Sequence, residues 1–98
     1  MAQLARQRDT DIDIDYLLDY LSDAWSAVPD LAAWWPDLDA TQQEVAHLEW
    51  LSITEPRQDM LEHLFVDGQL TVPQSARYND VMALVSIHRP MIQRLLTT

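Results

Sequence analysis

Apolar residues recur three or four positions apart along almost the whole chain, which is the spacing of one face of an α-helix. The first series is Ile14, Leu17, Leu21, Trp25 and Val28. Thr10 stands ahead of it with Asp13 three residues on and Asp11 beside the positive end of the helix dipole, so a helix capped by Thr10 is expected over about residues 10–28. Pro29 is expected to halt it, and Asp30 to cap a short turn that puts Leu31, Trp34 and Trp35 on a shared face before Pro36 breaks the pattern again. Thr41 with Glu44 matches a capping box and opens a helix to about Ile53 whose inward residues are Val45, Leu48, Trp50 and Leu51.

Thr54-Glu55-Pro56 reads as a further helix start, with Met60, Leu61, Leu64 and Phe65 as its buried side and Gly68 as its stop. Thr71-Val72-Pro73-Gln74 repeats that start and leads to a helix burying Tyr78, Val81, Met82 and Val85. Laying Thr54 on Thr71 places Leu61 on Tyr78 and Leu64 on Val81, a match short enough for shared helix-start physics to produce without duplication. Pro90 is expected to interrupt this last segment, leaving Met91, Ile92, Leu95 and Leu96 as a terminal turn or short helix. With one glycine and hardly any alternating stretch, the predicted fold is all-α: a compact bundle of four to five short helices over residues 9–98, able to assemble as a homodimer, behind a loose arm of residues 1–8.

Charge changes this picture more than composition does. The chain carries a net charge of −10 on 98 residues, and its six basic residues other than histidine are all arginine. Asp11, Asp15, Asp19 and Asp23 recur every fourth residue, so on a helix they stack into one anionic stripe roughly opposite the apolar face. Each like-charged i,i+4 pair opposes helix formation by roughly 0.2–0.5 kcal/mol, and a basic partner, a saline environment or a need for solubility would each make that tolerable. The low-lysine, high-aspartate bias resembles that of salt-adapted organisms. So acidic a chain repels nucleic-acid phosphates and anionic membranes, which excludes direct nucleic-acid binding from the expected functions. Arg77, Arg89 and Arg94 crowd the other end, where they can meet the aspartates within one molecule, meet those of a second copy, or stay solvated.

No cysteine is present, so disulfide frameworks and thiolate chemistry are excluded, and the residues before Asp9 do not read as a secretory or transit signal. No run approaches the roughly 18 apolar residues of a membrane helix, and a soluble cytoplasmic protein without cofactor is expected. Glu44 and His47 have the E-x-x-H spacing of carboxylate-histidine metal sites, but a second copy would have to come from a dimer partner, with Glu62 or His63 as further ligands. Asp9-x-Asp11-x-Asp13 opens like a calcium loop, yet Ile14 and Tyr20 hold the places that demand glycine and glutamate. No phosphate loop or nucleophile motif occurs, and a non-enzymatic protein is expected.

Four tryptophans complete the reading. Trp25 and Trp50 sit on apolar faces and are expected in the core, whereas adjacent Trp34 and Trp35 point about 100° apart on a helix and compete for burial. One of them, beside Asp30, Asp37 and Asp39, is expected to present an aromatic anchor inside an acidic rim. The leading expectation is therefore an acidic adaptor, antitoxin or nucleic-acid mimic that engages a basic protein through Asp11, Asp15, Asp19, Asp23, Trp34, Trp35, Asp37 and Asp39. A metal-binding dimer and a purely structural homo-oligomer are its alternatives.

Overall fold

The computed structural model describes residues 13–97, so the arm of residues 1–8, the Thr10 cap and Asp11 lie outside the described residues. What it contains is three long rods rather than four to five short helices. The first rod joins α1 (Ile14–Ser26) to α2 (Val28–Trp34) and ends in a 3₁₀ turn, Trp35–Asp37. The second runs from α3 (Ala40–Glu49) through a π-helical turn, Trp50–Thr54, into α4 (Glu55–Val66). The third is α5 (Val72–Thr97), and among the described residues there is no strand.

Each departure from the predicted boundaries has a local cause. The first helix is capped by Asp13, whose extended backbone and side chain, accepting from the Tyr16 N–H at 2.9 Å, place the helix start at Ile14. Pro29 does not halt the rod. Ala27 stays helical and bonds back to Asp23, while the Leu31 N–H reaches Ala27 at 2.9 Å, so hydrogen bonds on both sides carry the chain past the missing donor. Proline falls in the first turn of α2, where it is tolerated, and Asp30 sits in that turn without capping it. At the next start Asp39, not Thr41, is the cap. Its carboxylate accepts from Gln42 N–H at 2.7 Å and the Gln42 side chain accepts from the Asp39 N–H at 2.9 Å, a reciprocal box two residues earlier than Thr41/Glu44 would make it.

Thr54 is likewise not a helix start, because it is buried and helical within the second rod. The cause of the π turn is Pro56: its ring would strike the carbonyl one turn back, and widening the turn so that the Glu55 N–H reaches Trp50, five residues earlier, makes room for it. Thr71 does start a helix as expected, and it does so through a reciprocal box with Gln74, each side chain accepting from the other's backbone N–H, so the Thr54/Thr71 correspondence ends at the sequence. Gly68 ends α4 as expected, with φ at +73° and the Gln69 and Gly68 N–H groups returning to Leu64 and Phe65. Pro90 does not interrupt α5. Ser86, which loses its donor there, and Pro90 itself are exposed, leaving water to serve the freed carbonyl, while Ile92 beyond it is buried.

The rods run up, down and up. Gln74 and Arg77 of early α5 meet Asp15 and Asp19 of early α1, and Leu95 and Leu96 share a cleft with Trp35, so the first and third rods are parallel. Ala46 shares a cleft with Leu31 and Met60 with Tyr16, which makes the second antiparallel to both. All three feed one core: Leu18, Leu21, Trp25 and Val28 from the first, Trp50 and Leu61 from the second, and Tyr78, Val81, Val85 and Ile92 from the third. Val45, Leu48 and Leu51 are corrected to the outside, with Val45 51% and Leu48 54% exposed. Trp50 and half-buried Ala46 turn the opposite face of α3 inward, and Met60 is about half exposed for the same reason on α4. No described helix is long and apolar enough to cross a membrane.

Tyr78 ties the third rod to the second by stacking on Phe65, with ring centroids 4.2 Å apart. Burial, reinforced by the negative charge of Glu62, raises its hydroxyl above the ordinary value of 10.0. The fold therefore favours the neutral phenol; that contribution is complete below the unfolded-chain value and is lost as pH climbs through about 10 and past the folded value. The melting temperature is expected to drop more steeply above pH ~10 for the wild type than for Tyr78→Phe, read by circular dichroism melts at stepped pH.

Candidate docking face

The aspartate stripe does not act as one unit. Successive i+4 positions drift by ~40° around a helix, so Asp23 lies ~80° from Asp15. Asp15 and Asp19 turn toward α5: Arg77 binds Asp19 directly, lies 3.8 Å from Asp15, and Gln74 donates to Asp15 at 3.2 Å. Both carboxylates remain substantially exposed, so this pairing relieves repulsion without hiding the charge. Asp23 turns the other way and makes no ion pair with a described arginine.

There it joins a second stripe. Tyr16, Tyr20, Asp23, Ala27, Asp30 and Trp34 follow one another at intervals of four, three, four, three and four, the rhythm of a helix face that meets another helix. Apart from half-buried Tyr20, every member is exposed. Trp34 is 68% exposed, with Asp30 one turn before it and Asp37 three residues after it. Trp35 instead folds inward, half-buried beside Leu95 and Leu96, and its carbonyl accepts from the Gln43 side chain at 2.9 Å. The two rings thus divide as the 100° offset requires. Asp39 is occupied as a cap and Asp37 is exposed. Residue spacing carries the Tyr16–Trp34 stripe, but the more conspicuous aspartate repeat conceals it.

Beside that stripe, the first and second rods leave two open clefts. One, of about 260 Å³, is lined by Tyr20, Ala24, Leu31, Ala46, Trp50 and Thr54, with Glu49 at its edge. The other, of about 340 Å³, lies between Tyr16, Leu17, Pro56, Arg57 and Met60. Tyr16 and Tyr20 have ring centroids 6.3 Å apart, and the Arg57 guanidinium lies 5.0 Å over the Tyr20 ring, so the clefts meet there. Arg57 also donates to the Ile53 carbonyl at 3.3 Å, which holds it over the ring.

Glu44 and His47 share a third cleft of about 230 Å³ with Trp35, Ala40, Gln43, Leu95 and Leu96. No third histidine, cysteine or carboxylate joins them among the described residues, and His63 is engaged with the Asp59 carbonyl at 2.8 Å. Searches against family models, curated proteins and solved structures find no match to this chain.

Proposed function

We propose that the protein is a non-enzymatic acidic interaction module that binds a basic protein surface. The observation that carries this reading is Trp34, a large indole left 68% exposed, with exposed Asp30 one turn before it and exposed Asp37 three residues after it. An exposed tryptophan with an acidic surround has the make-up of an interface anchor: the ring supplies holding energy once desolvated, and the carboxylates speed encounter with a cationic partner. Asp23 and Asp30, unpaired with any described arginine, take the role that the whole aspartate repeat would otherwise share with Asp15 and Asp19. The open clefts, at 230–340 Å³, stand at or below the lower end of small-molecule sites, which favours binding over catalysis.

The test is affinity purification on the immobilised full-length chain at low and high salt, with Trp34→Ala and Asp30→Asn in parallel. A basic protein is expected to be retained at low salt, released as salt rises, and retained poorly by Trp34→Ala. Retention that ignores both salt and Trp34 defeats the proposal. Self-association is a second reading, supported by the outward ridge of Val45, Leu48 and Leu51. Light scattering on the same preparation separates it from binding to a partner.

A further inference from the structure

Resting on that reading, we infer that the groove between the first and second rods is the docking site for one amphipathic, cationic helix of the partner. Along α1 and α2 the groove extends from Tyr16 to Leu31, about 22 Å or four helical turns at ~1.5 Å per residue. Its lining is small at Ala24, Ala46 and Thr54, which lets another backbone approach, and its ends carry the larger side chains Tyr16, Met60 and Leu31. Tyr16 and Met60 are each about half exposed, an apolar surface that the three rods leave uncovered.

The occupant's charge follows from the rim. Asp23 and Asp30 stand on the first rod beside Ala27, three or four residues away and so on its side of the helix. Glu49 stands on the opposite wall. A helix lying between them meets carboxylates on both flanks, which suits lysine or arginine on either side of an apolar stripe. A second copy of this chain is a poor occupant, since it would bring its own net charge of −10 against the same rim. An extended strand is equally unsuited, because helical walls offer no free backbone edge to pair with, whereas a helix satisfies its own backbone. Arg57 is the exception in the rim. Held over Tyr20, it calls for an uncharged or acidic side chain at the matching point of the guest helix, which fixes the guest's register.

The experiment is titration calorimetry of the full chain with a leucine-lysine peptide of about 15 residues, apolar at helical spacing. A shuffled peptide of the same composition, which lacks the apolar stripe, serves as the control. The ordered peptide is expected to bind at least about tenfold more tightly than the shuffled one. Tyr16→Ala with Met60→Ala, and separately Glu49→Lys, are each expected to weaken it about tenfold or more with melting curves near wild type. Equal binding of both peptides, still lost at high salt, overturns the groove while leaving the acidic-module reading standing. If neither peptide binds, both readings are overturned. A chain that runs as a dimer, becomes monomeric on the Tyr16/Met60 double substitution and excludes the peptide overturns the inference in favour of a second copy.

Discussion

Trp25→Ala is expected to remove about 3–5 kcal/mol of stability, measured by urea unfolding, and to leave a chain of this size largely unfolded near its normal working temperature. Three things are lost together. The indole is only 1% exposed, so its volume becomes a cavity against Leu18, Leu21 and Val28 that rigid neighbouring rods close poorly. Its edge-on contact with Trp50, centroids 4.9 Å apart at 82°, joins the first rod to the second at the π turn. Its Nε1–H donates to the Gln58 side-chain oxygen Oε1 at 3.0 Å, and Arg89 of α5 lies 5.5 Å over its ring, so one side chain touches all three rods. Trp25→Phe retains part of the volume and loses the N–H, and an intermediate loss is expected. Trp34→Ala, at the exposed ring, is expected to change stability by no more than ~0.5 kcal/mol. A Trp25→Ala protein within about 1 kcal/mol of wild type would contradict the core described above.

That pair of tryptophans also marks how far the residues alone reach. The inward face of the first helix is legible because five apolar positions at helical spacing outweigh any local alternative. The outward turn of Val45, Leu48 and Leu51 is not, since periodicity says that α3 has an apolar side but not which of two sides meets the core. A single large ring, Trp50, wins that competition at the junction with the widened turn. Prolines mislead for a related reason. Pro29 and Pro90 read as stops and Pro56 as part of a start, because a missing donor marks a break without telling how the neighbouring turns absorb it, by backbone bonds on both sides of Pro29 and by a widened turn before Pro56.

The candidate site shows the same division. Trp34 and Trp35 part company by an angle that adjacency dictates, and the separation of Asp15 from Asp23 follows from the drift of an i+4 series. Both can be worked out from residue numbers. The groove cannot, because its walls belong to rods whose relative placement depends on Trp25, Trp50 and Leu61 packing together. Ala24 and Ala46 are unremarkable in sequence and become a floor only when the first and second rods are laid antiparallel.

Pro90→Ala is expected to raise stability by about 1–3 kcal/mol. A proline inside a helix withholds one donor and presses its ring on the preceding turn, and α5 has one 18 residues into a 26-residue helix. Position 90 is exposed, so alanine opens no cavity, and restoring the N–H returns a partner to the Ser86 carbonyl. Some of the gain is offset because proline also stiffens the unfolded chain, by about 0.4–1 kcal/mol. Pro73→Ala is the internal control: it stands in the first turn of the same helix, where no intrahelical bond is missing, and is expected to be neutral or slightly destabilising. Urea midpoints for the two substitutions decide the matter. A loss on Pro90→Ala would mean that the backbone geometry proline imposes is needed to bring Leu95 and Leu96 beside Trp35, the end contact then outweighing the recovered hydrogen bond.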